Sequence, residues 1–141
     1  MNHLVFLEPR AMELEKILSG VKTMIAKEFD PARSNGHSVR PGDRLYFLRN
    51  KDECDLRVKA TVVRVVPLIN CLNEDLSQTL KEMQPKLQLT EEQFDFWSTT
   101  KQVLLVEFVS AQKITPIHVA SNKITDRSDW IAFEDFSLIT E

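Results

Sequence analysis

Along this chain of 141 residues the spacing of apolar positions changes period several times, and each change marks an element. Residues 3–7 form a short apolar run that Glu8, Pro9 and Arg10 break, which predicts a first strand. Over residues 11–19, Leu14, Ile17 and Leu18, continued by Val21, recur at helical spacing with Glu13, Glu15 and Lys16 outside, so this helix lays one face on a sheet. Gly20 stands where a residue in left-handed conformation would end it. From 21 to 28 the period drops to two, predicting a strand with Val21, Thr23, Ile25 and Lys27 on one side and Lys22, Met24, Ala26 and Glu28 on the other. Lys22, at the start of that strand, either points into the gap between helix and sheet or snorkels with its methylenes over the helix end.

Residues 29–43 make a loop rich in Asp, Pro, Ser, Asn and Gly, with Arg33, His37 and Arg40 placed to clamp a phosphate or simply to be solvated. Pro41, Gly42 and Asp43 close the loop as a tight turn into a strand over 44–50. A polar hairpin turn at 51–55 leads to the longest strand, 56–66, which pairs antiparallel with the previous one and turns Leu56, Val58, Ala60 and Val62 one way. Asn73 caps a helix over 75–84, with Leu76, Leu80 and Met83 on one face and Pro85 as its stop. Thr90 and Gln93 have capping-box spacing for a further helix, and Phe94, Phe96 and Trp97 behind them serve as core or as a base-stacking platform. Residues 102–110 read as a buried strand that 111–114 extend and Pro116 interrupts. After a polar loop at 122–129, Trp130, Phe133 and Phe136 recur every third residue like a helix, while Phe136 and Leu138 alternate like a strand.

Composition narrows the class without fixing the chemistry. With 43% hydrophobic and 28% charged residues the chain suits one domain with a single core. It holds no apolar run approaching the ~18 residues of a membrane span, and its start has neither a basic leader nor a small-residue cleavage site, so no membrane partner and a cytoplasmic location are expected. A net charge of −3 argues against gripping duplex DNA by bulk electrostatics. Basic residues nevertheless gather between Lys22 and Lys59, acids following from Glu74 onward, which leaves room for a locally basic surface or for charges that only solvate strand faces. Cys54, Cys71 and the three histidines lack ligand spacing, so neither a metal nor a cofactor is expected. The three glycines form no phosphate-binding loop, and no G-x-S-x-G or H-E-x-x-H motif occurs. Candidate chemistry therefore rests on Lys22, which burial would convert into a base or an electrophilic clamp.

The order strand, helix, Gly20-x-Lys22, basic loop, Gly42-Asp43 entering an apolar strand, long strand, helical insert and final strand resembles the ASCH domain, a PUA-like family linked to RNA. The resemblance spans about residues 4–109; of the family motif Gly-x-Lys-x-x-Glu-x-Arg, Gly20 and Lys22 match, while Ile25 and Lys27 occupy the last two places. It implies an α+β fold, a PUA-like and mostly antiparallel β-barrel with peripheral helices, over residues 1–112, with residues 113–141 as a C-terminal extension packed on the same domain. It also implies a cleft lined by Lys22 and the 29–43 loop, where RNA or a modified nucleoside would meet Lys22, Lys27, Arg33 and Arg40, with Tyr46 as a stacking ring. Small ASCH proteins include amidohydrolases that remove the acetyl group of N(4)-acetylcytidine with a lysine, a threonine three residues later and a glutamate. Lys22 lies on the catalytic lysine position, Ile25 takes the threonine place with Thr23 the nearest hydroxyl, and Glu82, Glu91 and Glu92 are the available acids. A third reading is a protein-interaction module presenting Trp130, Phe133 and Phe136.

Overall fold

The computed structural model describes residues 2–7, 12–28, 39–48, 55–69, 76–99, 102–119 and 130–133. In chain order these form β1 (Asn2–Phe6), α1 (Glu13–Leu18), β2 (Met24–Glu28), β3 (Arg44–Leu48), β4 (Asp55–Ile69), α2 (Leu76–Leu87), α3 (Glu91–Thr99), β5 (Gln102–His118) and β6 (Trp130–Phe133). The strands make one sheet in the order β2-β5-β4-β3-β1-β6, antiparallel at every pairing except β1 with β3. The expected α+β class is thus present. The expected barrel takes the form of a curled sheet, and no ladder among the described residues joins β2 to β6. Curling is visible in the charges: Lys27 on β2 opposes protonation of His3 on β1, although these strands stand four places apart and a flat sheet would separate them by roughly 19 Å.

Bulges in the long β4–β5 ribbon bend it. Its register shifts at three places, between Leu56 and Val58, Lys59 and Thr61, and Val62 and Arg64. At the middle one, Ser110 and Ala111 together face Ala60, and Ser110 takes φ 59°, a left-handed conformation that bulges use and that increases local twist.

Apolar side chains leave both sheet faces and sort into three clusters. On the inner face α1 contributes Leu14 and Ile17 to a cluster with Val5, Ile25, Leu45, Phe47, Val58, Val62, Val106 and Phe108, whose Phe47 and Phe108 rings lie 5.3 Å apart. On the outer face Leu80, Met83 and Leu87 of α2 share a helical stripe and pack with Phe94 and Trp97 of α3 against Met24, Val103 and Leu105. Farther along that sheet Leu4, Tyr46, Leu48, Leu56 and Val119 form the third. The core of β5 is buried on both faces, as its unbroken apolar sequence predicts.

Several boundaries differ from the sequence pattern for identifiable reasons. β2 begins at Met24 instead of 21, because residues 19–22 are spent closing α1. β4 runs on to Ile69, and β5 passes through Pro116 to His118 where the pattern stops at 114. Proline lacks only its N–H, and here it lies beside the register shift between Leu56 and Val58, where ladder bonds are already interrupted. Likewise α2 continues past Pro85 to Leu87, the proline forgoing one intrahelical bond two residues before the end; Gln88, at φ 51°, then ends it with its N–H on the Gln84 carbonyl. The capping box of α3 is present, with Gln93 N–H on Thr90 Oγ1 at 3.2 Å and Thr90 N–H on Gln93 Oε1 at 3.1 Å. Phe94 and Trp97 turn into the core while Phe96 is 60% exposed and stands edge-on to Trp97. In the last segment residues 130–133 are a strand on β1; Phe136 lies outside the described residues, as do the cap at Asn73 and residues 51–54 of the turn expected at 51–55, whose last residue, Asp55, instead begins β4. No described helix is long and apolar enough to cross a membrane.

A buried pair ties β1 to the turn entering β3. His3, without solvent exposure, bonds through Nε2 to Asp43 Oδ2 at 2.9 Å, and the same oxygen accepts the Arg40 N–H at 3.0 Å. Gly42 N–H and the Asp43 carbonyl bond to the two sides of Val62, each at 2.8 Å, fixing the turn on β4. Burial holds His3 below its ordinary 6.5 despite Asp43. The folded chain therefore keeps His3 neutral where the unfolded chain still binds a proton, so stability should decline as pH falls through the range below 6.5. Comparing urea unfolding of the wild type and His3→Gln over that range checks this; equal pH slopes would refute it. Truncation after Gln112 removes β6 and the last six residues of β5, and the expected product is aggregated, whereas a soluble species with native circular dichroism would show that residues 1–112 stand alone.

Candidate functional site

The site grows from the way α1 stops. Gly20, at φ 83°, lets the chain reverse, and the Gly20 N–H reaches the Ile17 carbonyl at 3.1 Å while the Val21 N–H reaches that of Lys16 at 3.1 Å. This pair of bonds is a Schellman closure. A third donor, the Lys22 N–H, joins the Lys16 carbonyl at 3.0 Å, so the turn is wound tightly and Lys22 emerges pointing inward.

The Lys22 side chain has no solvent exposure. Its Nζ donates to the carbonyl of Leu87, the last residue of α2, and lies 3.5 Å from Glu13 Oε1. Glu13 is in the first turn of α1, and its Oε1 also accepts from Gln93 Nε2 at 3.5 Å. Around it, the Thr23 N–H takes the Lys86 carbonyl at 2.9 Å and Lys16 Nζ takes the Gln88 carbonyl at 3.1 Å. Three successive carbonyls at the end of α2 are thus satisfied by residues 16–23, two of them by ammonium groups at the negative pole of the helix. Outside this junction Glu107 accepts from Lys86 Nζ at 2.7 Å and from Arg64 Nε at 2.9 Å, which keeps its carboxyl below the usual range.

Burial lowers the Lys22 pKa from 10.5; Glu13 acts against that shift and neighbouring Lys16 with it. Beside the junction a cleft of about 230 Å³ opens between the end of α1 and β5, lined by Gly20, Lys22, Thr23, Phe108, Val109 and Ser110, among others. Because residues 22 and 23 precede the regular strand, Lys22 and Thr23 border the same cleft and are not parted onto opposite faces.

Of the five residues expected to share a basic cleft, the four that are described do not line one cleft together. Lys27 lies four-fifths of the way along β2, in the field of His3 on β1 rather than in the cleft lining. Arg40 is exposed and its backbone N–H is part of the Asp43 turn. Tyr46 is only 4% exposed and packs in the third cluster, on the sheet face away from α1. Arg33 and His37 lie outside the described residues, and none of the described loop residues 39–43 lines the cleft. The acid beside Lys22 is Glu13, which the periodicity counts as outward; it is four residues before Ile17 and so shares that residue's buried face. Glu91 and Glu92 are exposed on α3, and Glu82 on α2.

Known structures place this architecture. A single-substitution variant of the ZmASCH protein from Zymomonas mobilis matches with a TM-score of 0.69 at 15% identity, covering 96% of this chain and 91% of that one. The unsubstituted ASCH protein of the same organism matches with a TM-score of 0.67 at 14% identity, over 94% and 87% of the two chains. The N-terminal domain of Staphylothermus marinus McrB matches with a TM-score of 0.54 at 10% identity, over 98% and 92%. The chain matches no protein-family model and no curated protein.

The junction makes a sharp prediction. Lys22→Ala leaves the Leu87 carbonyl and the Glu13 carboxylate buried without their cation and should cost about 3–5 kcal/mol, measured by urea denaturation; a loss below ~1 kcal/mol, the scale of an exposed pair, would contradict it. The unfolded chain also holds the Lys22 proton at pH values where the folded chain has released it. Wild-type stability should therefore rise with pH on approaching 10.5 from below, and Lys22→Met should remove that rise.

Proposed function

With an ASCH-type fold as the premise, we propose that this protein is a nucleic-acid-binding module that takes RNA or a nucleotide in the cleft between α1 and β5. The observation that carries the reading is the cleft of about 230 Å³ beside the Gly20 turn, where Lys22, Thr23 and Ser110 meet apolar walls from Phe108 and Val109. Such a mixture suits a base, whose faces are apolar and whose edges exchange hydrogen bonds. The Lys22 ammonium is committed to Leu87 and Glu13, so it shapes the cleft from behind instead of meeting phosphate.

One observation favours a second reading, hydrolysis of an acylated nucleoside such as N(4)-acetylcytidine. That chemistry needs a lysine tuned by a carboxylate, and Glu13 lies 3.5 Å from Lys22 with Thr23 on the same cleft. For an amide to reach Nζ, the bond to Leu87 must open.

An amide NMR titration with a short single-stranded RNA, cytidine and N(4)-acetylcytidine separates the readings. Binding predicts shifts at Gly20, Thr23 and Ser110 with an affinity for RNA that falls as salt rises. A spectrum unmoved by any of the three sinks the proposal, and acetate released by the wild type but not by Thr23→Val moves the hydrolase to first place.

A further inference from the structure

Two surfaces on the outer side of the sheet carry opposite charge, and exposed apolar groups accompany both. The first is α3. Glu92, Asp95, Phe96 and Thr99, spaced three and four apart, form one stripe of that helix, and all four are exposed. Of the five large apolar side chains exposed among the described residues, Phe96 is the bulkiest. No α3 side chain is fully buried, and Glu91, Glu92 and Asp95 hold no ion pair among the described residues. Two acids in the first turn complement the positive pole of a helix, but Asp95 stands beyond that turn, and the pole gives no reason for an exposed Phe96.

The second surface is the strip of sheet next to the seat of α3. Phe94 and Trp97 pack in the cluster that contains Leu105, and alternation along β5 puts Glu107 and then Val109 on the same face. Val109 pairs with Thr61 of β4, and Thr61 with Arg44 of β3; one pleat along β4, Lys59 shares that face. Arg64 and, from α2, Lys86 reach the strip at Glu107. It thus presents four cations against the Glu107 carboxylate, and Arg44 and Lys59 hold no ion pair among the described residues. Among these charges Val109 is exposed, and so is Val63, the extra residue where the register shifts between Val62 and Arg64.

We infer that these two surfaces bind each other between two copies of the chain: α3 of one copy lies on the basic strip of its partner, and a two-fold axis returns the contact. The inference is independent of what occupies the cleft at Thr23.

Charge complementarity selects a second copy as the occupant. A chain of net charge −3 repels itself on average, so two copies associate only if cations and acids are sorted onto separate faces. Here the acids surround an aromatic on a convex helix, and the cations surround β-branched groups on open sheet. Phe96 supplies the aromatic anchor that interface centres favour, Val63 and Val109 the apolar ground for it, and the charges a polar rim. Both surfaces lie on the outer side of one sheet, so a two-fold axis between them satisfies both at once and the pairing closes at two copies.

Sedimentation velocity over a concentration series tests the assignment. The wild type should show a monomer–dimer equilibrium that weakens as salt rises from about 0.05 to about 0.5 M, because rim charges are screened. Arg44→Glu/Lys59→Glu and Glu92→Lys/Asp95→Lys should each raise the dimer dissociation constant at least about tenfold, since each sets like charges together at both contacts. Phe96→Ser should weaken the dimer as well, with the circular dichroism of the wild type. Mixing the two charge-reversed variants in equal amounts should restore the dimer, because each then meets an inverted partner at both contacts, a recovery that misfolded variants cannot give. A dimer that both reversals leave intact, or a mixture that stays monomeric, overturns the assignment of the faces. A wild type still monomeric at about 0.5 mM and low salt overturns the second copy as occupant, and α3 amides that then shift with poly-lysine assign that face to a basic partner protein instead.

Discussion

A lysine ammonium buried against the carbonyl end of a helix governs this structure. Lys22 donates to the Leu87 carbonyl from a position with no solvent exposure, and Glu13 supplies the countercharge at 3.5 Å. Removing an ammonium from water is expensive unless hydrogen bonds and an opposite charge replace the solvent. Here both arrive from different elements: the carbonyl from α2, the carboxylate from α1, and the lysine from the turn between α1 and β2. The pair therefore works only when α1, on the inner face of the sheet, and α2, on the outer face, are both in place around the edge strand β2.

That constraint explains the cleft. The Schellman closure at Gly20 and the bond from Thr23 N–H to the Lys86 carbonyl hold residues 20–23 in irregular backbone, and the Phe108 N–H takes the Thr23 carbonyl at 3.0 Å, docking the segment on β5. Beside it the left-handed Ser110 bulge interrupts the β4–β5 ladder. The cleft lies between the end of a helix pinned from behind by its lysine and a ribbon bent by bulges. The ammonium that burial would make most reactive is held in this structure by Leu87 and Glu13.

Much of the frame was legible in the chain. The glycine ending α1, the Thr90–Gln93 capping box and the doubly buried β5 each rest on local rules that tertiary packing reinforced. The ASCH-type order of elements was legible too, at an identity where whole-chain similarity is faint. The site was less so, because it depends on pairings far apart in sequence. Glu13 reads as a surface acid until the helix phase is counted from Ile17, and only α2, 65 residues beyond Lys22, supplies the carbonyl that draws the ammonium inward. Tyr46, offered by the resemblance as a stacking ring, is covered by the third cluster, which the local pattern does not reveal.

The most direct test of this account follows the Lys22 side chain itself, by the carbon-13 shift of its Cε in lysine-labelled protein across alkaline pH, assigned with Lys22→Arg. A structural ammonium buried against α2 should titrate below 10.5 and keep a shift distinct from the surface lysines, with little response when RNA is added. A Cε resonance that titrates with the surface lysines, or that moves strongly on RNA binding, would contradict the account and make Lys22 a ligand-facing residue.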